Sequence, residues 1–298
     1  MTALSITKRG ALGLLLSAAA FPLAAQDRPV VATDNYPLAY FAGRLGGGGI
    51  DVLFAVPDGT DPSFWRPGIP DIAAIQRADL IALNGAGFST WPTKASLPRS
   101  RTVDTSAGFQ DRLIKTDTVT HSHGEGGEHS HTATANYIWL DFSLAMAQAR
   151  VLAGAMIRQL PDRAPQIETE LEALLTDLAA LDARATDLGQ GAANVPMIAS
   201  HPRYQYFGAA YGLALGSVAW DAQEEPTEAQ WAALEALLSE TDAKVFIWEA
   251  EPSAASKERM SALGLENVVF QPLAMTPAGG NFLDMMNAAL DDLKEAIR

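Results

Sequence analysis

The chain has 298 residues, carries 35 acidic against 21 basic side chains and contains no cysteine, so its formal net charge at pH 7 is −14. This acidic balance argues against nucleic acid as a partner, because the phosphates would be repelled. The lack of cysteine excludes disulfides, thiolate metal ligands and cysteine nucleophiles.

Residues 1–26 have the features of a secretory signal peptide. Lys8 and Arg9 precede an apolar run from 11 to 20, and small residues suited to signal peptidase follow. A membrane anchor is the alternative, but the run is shorter than the roughly 20 apolar residues that span a bilayer, and Ser17 interrupts it. We therefore expect export to the periplasm.

Short β-branched runs alternate with helical stretches from residue 29, which predicts parallel strands covered by helices. The first predicted strands are 30–33, 50–56 and 80–84, with helices near 37–45 and 71–77 between them. We assign this first α/β lobe to residues 27–163.

A long amphipathic helix is predicted over residues 164–190, between two lobes. Its apolar positions recur at spacings of three and four, so they share one face. These positions are Ile167, Leu171, Leu174, Leu178 and Leu181. Pro161 and Pro165 separate this helix from an earlier one at 142–160, because proline lacks an amide donor and disfavours helix in the residue before it.

The strand and helix alternation resumes in residues 191–298, which we assign to a second α/β lobe. The predicted strands are 195–200, 217–220, 244–249 and 267–270, with helices at 228–239 and 253–263. The predicted fold class is therefore α/β, with two Rossmann-like lobes of parallel sheet joined by one long backbone helix.

Residues 116–135 form a predicted loop that contains four of the five histidines. They are His121, His123, His129 and His131. Histidines two positions apart in an extended chain point the same way, so each pair presents two imidazoles to one ion. Short histidine-rich tracts are mostly linked to metals, which favours metal scavenging or sensing over an unselected polar loop.

Five motifs in a fixed order resemble the cluster A-I receptors, the periplasmic zinc and manganese solute-binding proteins of bacterial ABC importers. They are VPDGTDPSFWRP at 56–67, ADLIALNGAGFSTW at 78–91, NYIWLDF at 136–142, SHPRYQYFGAAYGL at 200–213 and FQPLAMTPAGGNFLDMM at 270–286. The resemblance implies a monomeric periplasmic receptor that captures zinc, or another transition metal, in an interlobe cleft or through the histidine loop. It also implies permease and ATPase partners in the inner membrane.

The family holds its ion with four side chains, typically histidines and carboxylates, and this sequence departs from that pattern. The matched positions are Ser63, Tyr137, His201 and Gln271, of which His201 alone keeps a family ligand. Tight zinc sites need three or four strong ligands. We therefore expect this cleft to bind zinc less tightly than is typical of the family.

Two alternatives to a metal receptor remain open at this stage: a receptor for a metal chelate or an organic ligand, and a periplasmic metallochaperone. An enzyme is a third alternative, and the sequence argues against it. Ser200 and His201 are adjacent on a predicted strand and point to opposite faces, so they cannot form a nucleophile and base pair. The sequence also has no phosphate loop, dinucleotide fingerprint or nucleophile elbow. We therefore predict that the protein is not an enzyme.

Overall fold

Two parallel four-stranded sheets form the framework of the computed structural model, which describes residues 28–116, 133–221 and 224–298. The predicted signal peptide and the four loop histidines lie outside these described residues. Within the described ranges, no helix combines the length and the apolar character needed to cross a bilayer.

The first sheet has the strand order β2-β1-β3-β4, with all neighbours parallel. Its strands are β1 (Val30–Thr33), β2 (Asp51–Phe54), β3 (Leu80–Leu83) and β4 (Thr102–Asp104), and its helices are α1 (Tyr36–Gly46) and α2 (Ile69–Arg77). Helix α1 begins where the side chain of Asn35 accepts a hydrogen bond from the amide of Leu38, and it ends at Gly47, whose φ of 52° suits glycine.

The chain then forms a short ribbon and two long helices. These elements are β5 (Lys115–Thr116), β6 (Ala133–Thr134), α3 (Phe142–Gln159) and α4 (Ala164–Gly191). Strands β5 and β6 pair antiparallel, so Thr116 and the segment 133–134, at the two ends of the predicted loop, lie in this ribbon.

The second sheet repeats the parallel arrangement, with the order β10-β9-β7-β8. Its elements are β7 (Met197–Ala199), α5 (Gln205–Tyr211), β8 (Leu215–Ser217), α6 (Glu228–Thr241), β9 (Val245–Trp248), α7 (Ala254–Ala262), β10 (Glu266–Val269) and α8 (Phe282–Ala296). The strand predicted at 217–220 is displaced, because β8 ends at Ser217. The chain beyond it still runs beside β7, where the amides of Val218 and Trp220 donate to the carbonyls of Ala199 and Ser200.

Helix α4 connects the two lobes and packs against both. It contacts α1 and α3 on the side of the first sheet and α8 on the side of the second. Ile167, Leu174, Leu178 and Leu181 on its apolar face are buried, and they belong to one core cluster that reaches both sheets. The predicted α/β fold with one long backbone helix is confirmed.

Candidate metal-binding cleft between the lobes

A cavity of about 550 Å³ lies between the two sheets. Its lining comes from the loops that follow β2, β7, β8, β9 and β10, together with Tyr137 ahead of α3. The carboxyl ends of parallel strands are the usual ligand-binding edge of open α/β sheets. The fold therefore forms one candidate site, which is lined by the loops at the carboxyl ends of the strands in both sheets.

Three of the four positions predicted from the sequence line this cavity: Tyr137, His201 and Gln271. Ser63 lies beside it and donates its hydroxyl to Asp61 Oδ1 at 2.6 Å. The fold thus brings the four positions to the same region, although whether they bind cargo stays a prediction.

His201 follows β7, and its hydrogen bonding sets which ring nitrogen carries the proton. Its Nδ1 lies 2.8 Å from the carbonyl oxygen of Trp220. A carbonyl oxygen can only accept, so Nδ1 donates, and in the neutral imidazole the lone pair is then on Nε2. Metal-binding histidines are commonly oriented by such a bond to a backbone carbonyl. This bond orients the neutral ring of His201 as a metal ligand would need.

Two carboxylates that were not predicted as ligands contribute to this region. Asp61 follows β2 and is held in a tight turn, because its Oδ1 accepts hydrogen bonds from the amide and the hydroxyl of Ser63. Glu249 follows β9, and its Oε1 lies 3.8 Å from His201 Nδ1. Both carboxylates line the same cavity as His201, one from each lobe, and offer hard oxygen donors there.

Arg203, two residues after His201, lies between these carboxylates. Its Nη2 is 2.7 Å from Asp61 Oδ2, and its Nε is 2.6 Å from Glu249 Oε2. The first contact is a hydrogen-bonded ion pair, whereas the second lacks hydrogen-bond geometry and is an ion pair only. The guanidinium carbon also lies 4.9 Å from the centre of the Tyr137 ring, within the range of a cation–π contact.

The charges in this cluster shift one another's ionisation. Burial disfavours the charge of Asp61, but Arg203 and Ser63 outweigh it and lower the pKa of that carboxyl. Burial raises the pKa of Glu249, although Arg203 and His201 oppose the rise. For Arg203 burial disfavours the charge, yet Glu249 and Asp61 raise its pKa. The guanidinium therefore remains a cation at neutral pH.

Tyr137 supplies an aromatic face to the cleft. It is 4% exposed, and its ring packs edge-on against Phe88 and tilted against Trp139. Among the described residues, no group forms a hydrogen bond with its hydroxyl. The ring thus contacts the guanidinium of Arg203, while a polar atom stays buried at the wall of the cavity.

An acidic approach adjoins the cleft. Asp221 and Glu224 line the main cavity and also a smaller one of about 170 Å³, which Glu225 and Glu251 line as well. A depression lined by charges of one sign raises the local concentration of counter-ions. This region therefore favours the approach of cations.

The described residues contain no group of three or more histidine, aspartate or glutamate side chains arranged to hold a metal ion. The donors are nevertheless present in one region, as the imidazole of His201 and the carboxylates of Asp61 and Glu249. Arg203 stands between the two carboxylates. A bare divalent ion therefore does not fit between them unless this side chain moves.

Two α/β lobes, a connecting backbone helix and a charged cavity between the lobes together define a solute-binding protein. The family model described as ZnuA, zinc-uptake complex component A periplasmic, matches residues 30–296. The chain belongs to this family. Membership confirms the predicted resemblance to cluster A-I receptors. It also confirms two further predictions: that the chain is a zinc-type solute-binding protein, and that it is not an enzyme.

Individual relatives agree with this assignment. The high-affinity zinc uptake system protein ZnuA of Bacillus subtilis is 27% identical over 281 residues, which cover 91% of this chain and 88% of that protein. The zinc-binding lipoprotein AdcA of Streptococcus pneumoniae is 26% identical over 280 residues, which cover 89% of this chain and 55% of AdcA.

A solved structure supports the same fold. The metal-dependent lipoprotein YcdH of Bacillus subtilis has a TM-score of 0.76 and 26% identity to this chain, with coverage of 90% of this chain and 98% of that one. The family implies a metal ion as cargo and an ABC transporter with a permease and an ATPase, and its members are periplasmic proteins or extracellular lipoproteins.

Proposed function

We propose that this chain captures zinc between its lobes and delivers the ion to the permease of an ABC importer, whose ATPase subunit drives release. One observation carries the proposal: the imidazole of His201 and the carboxylates of Asp61 and Glu249 line the same interlobe cavity. Imidazole and carboxylate together are suitable ligands for zinc. The zinc-binding names of the relatives support the same cargo.

The proposal includes a location and a domain organisation. A signal peptide over 1–26 directs the chain to the periplasm, where it acts as a monomer. The lobes extend over 27–163 and 191–298, with the linking helix at 164–190. Cargo exchange occurs at the cleft, and the histidines at 121, 123, 129 and 131 act as a separate and weaker collecting site.

Zinc affinity at the cleft is proposed to be lower than is usual in the family. Ser63, Tyr137 and Gln271 stand at positions where the family has ligands, and none of them offers an imidazole or a carboxylate. The ion would rely on His201 with Asp61 and Glu249, of which the two carboxylates are paired with Arg203. Their desolvated ion pairs must be broken for the ion to bind.

Calorimetric titration of metal-stripped protein with zinc tests this proposal. The protein carries serine at the four loop histidines, so that the cleft is measured separately. We expect one zinc per chain at an affinity weaker than nanomolar, and a loss of at least about tenfold in His201→Ala, which corresponds to about 1.4 kcal/mol. Zinc binding that is unchanged in His201→Ala would contradict capture in the cleft.

A further inference from the structure

We propose that Arg203 is a tethered cation that occupies the cargo position of the cleft, so that a divalent ion binds by displacing its guanidinium. This inference rests on the proposed function, because it assigns to Arg203 the control of affinity and selectivity for the same cargo. The observation behind it is that one side chain contacts carboxylates from both lobes.

Geometry makes the guanidinium and a metal ion mutually exclusive. Asp61 Oδ2 is 2.7 Å from Nη2, and Glu249 Oε2 is 2.6 Å from Nε. Zinc binds carboxylate oxygens at about 2.0–2.2 Å, so an ion in contact with both oxygens takes up the space between them. The Arg203 side chain fills that space.

Electrostatic attraction favours the displacement of the guanidinium by a divalent ion. Asp61 and Glu249 together bring two negative charges, and Arg203 neutralises one of them within contact distance. Arg203 is 13% exposed and Glu249 is 8% exposed, so water screens this pair less than a surface pair. A divalent ion gains more from both carboxylates than a singly charged guanidinium does. The tethered cation therefore admits divalent ions and excludes monovalent ones.

Neighbouring side chains hold the guanidinium of Arg203 in one position in the cleft. The Tyr137 ring covers one side of it at 4.9 Å, and the tyrosine hydroxyl is buried in the wall of the same cavity with no hydrogen-bond partner in the described structure. A buried hydroxyl without a partner costs about 1–3 kcal/mol. A cargo ion with its residual water would satisfy it.

The pairing also joins the lobes. Asp61 belongs to the loop after β2, whereas Arg203 and Glu249 follow β7 and β9 in the other sheet. The Arg203 to Asp61 pair therefore bridges the two lobes, and a captured ion would replace it with a bridge between Asp61 and Glu249. The empty and loaded proteins are expected to have similar lobe positions.

Zinc titrations of the full chain test this inference. Wild type, Arg203→Gln and Arg203→Lys are stripped of metal and titrated with zinc against a chromophoric chelator. We expect Arg203→Gln to bind zinc at least about tenfold more tightly than wild type, because no cation has to be displaced from the two carboxylates. Arg203→Lys keeps that charge, so its affinity should stay within about threefold of wild type.

The histidine loop is common to all these proteins, and His201→Ala distinguishes it from the cleft. Each protein is therefore also made with His201→Ala, and the gain in zinc affinity of Arg203→Gln should disappear in that background.

A second neutral variant is needed because the glutamine of Arg203→Gln retains a hydrogen-bond donor for Asp61. Arg203→Met is a second neutral variant, and the zinc-dependent rise in its melting temperature gives a measurement that needs no chelator. A neutral variant that folds only with zinc supports the inference, and one that zinc does not rescue contradicts it.

The outcomes separate this inference from the proposed function. Equal or weaker binding in Arg203→Gln, with wild-type binding still sensitive to His201→Ala, overturns the role of Arg203 and leaves zinc capture intact. Binding in Arg203→Gln but not in wild type supports the tethered cation and overturns zinc capture by the natural chain. The absence of His201-dependent binding in every protein overturns both.

Discussion

Arg203 Nη2 lies 2.7 Å from Asp61 Oδ2, and this pair connects the loop after β2 with the loop after β7. The connection has a consequence for stability. Asp61→Asn keeps an acceptor for Ser63 but removes the charge, which leaves Arg203 with a poorer partner inside the cleft. Breaking a buried pair from one side is destabilising.

We therefore expect Asp61→Asn to lower the free energy of unfolding by about 1–3 kcal/mol, as measured by urea denaturation at pH 7. Asp58→Asn is the control, because Asp58 is an exposed carboxyl three residues earlier, and its effect should be within about 0.5 kcal/mol. Equal stabilities of the two variants would show that the lobe-bridging pair contributes little.

A second connection runs through the hydroxyl of Tyr211. It accepts a hydrogen bond from the amide of Phe142 at 2.9 Å and donates one to Asp182 Oδ1 at 2.9 Å. Tyr211→Phe leaves a buried amide at the start of α3 without its acceptor, so we expect a loss of about 1–3 kcal/mol in chemical denaturation. Asp182→Asn keeps an acceptor and should cost less. A larger loss in Asp182→Asn would assign the stabilisation to the carboxylate charge instead.

Sequence periodicity predicted helix α4 because its apolar face is long and regular, and all strands of the two sheets except β4 were located to within a few residues. Strand β4, only three residues long, carries too little pattern to identify. Helices α5 and α8 were both missed. At the start of α8, Asn281 and Asp284 form a capping box, a signal that is readable in the sequence.

The composition of the site was less predictable. Family positions led to Ser63, Tyr137, His201 and Gln271, but nothing local to Arg203 indicates which carboxylates it meets. Its partners Asp61 and Glu249 are 142 and 46 positions away in sequence, and tertiary packing brings them together. A sequence motif can locate a ligand such as His201. The pairing of Arg203 with the nearby carboxylates depends on the whole fold, so a motif does not reveal it.

Two helical glycines differ in the space around them, so we expect substitution by alanine to have opposite effects on stability. A Cβ atom at Gly189 in α4 would lie 2.0 Å from the carbonyl oxygen of Tyr211, whereas a Cβ at Gly43 in α1 would meet nothing within 4 Å. Gly189→Ala forces α4 away from α5 and should cost about 1–3 kcal/mol or more. Gly43→Ala should stabilise the protein by roughly 0.5–1 kcal/mol, since glycine is the poorer helix former.

We would measure the stability of both glycine variants by thermal and urea unfolding and compare each with wild type. The two changes add the same methyl group, so their difference reports the space available and not the chemistry of the residue. Similar effects of the two substitutions would mean that α4 and α5 adjust without cost.

Asp34 should make the stability of the protein depend on pH. Burial raises the pKa of its carboxyl from 3.8 to about 7, an amide hydrogen bond from Asn84 opposes the rise, and the nearby charge of Asp104 adds to it. Between about pH 4 and pH 7 the folded state therefore keeps a proton that the unfolded chain has lost. Stability should fall as the pH rises through this window, by up to about 4 kcal/mol, and level off above it.

Asp34→Asn carries no titrating group at this position, and the asparagine oxygen can still accept from Asn84. Its free energy of unfolding should consequently change less than that of wild type between pH 5 and pH 8, as measured by urea denaturation in matched buffers. A smaller fall should persist in the variant, because burial also raises the pKa of Glu249. Asp58→Asn should keep the wild-type slope. A slope in Asp34→Asn as steep as in wild type would show that another group carries the pH dependence.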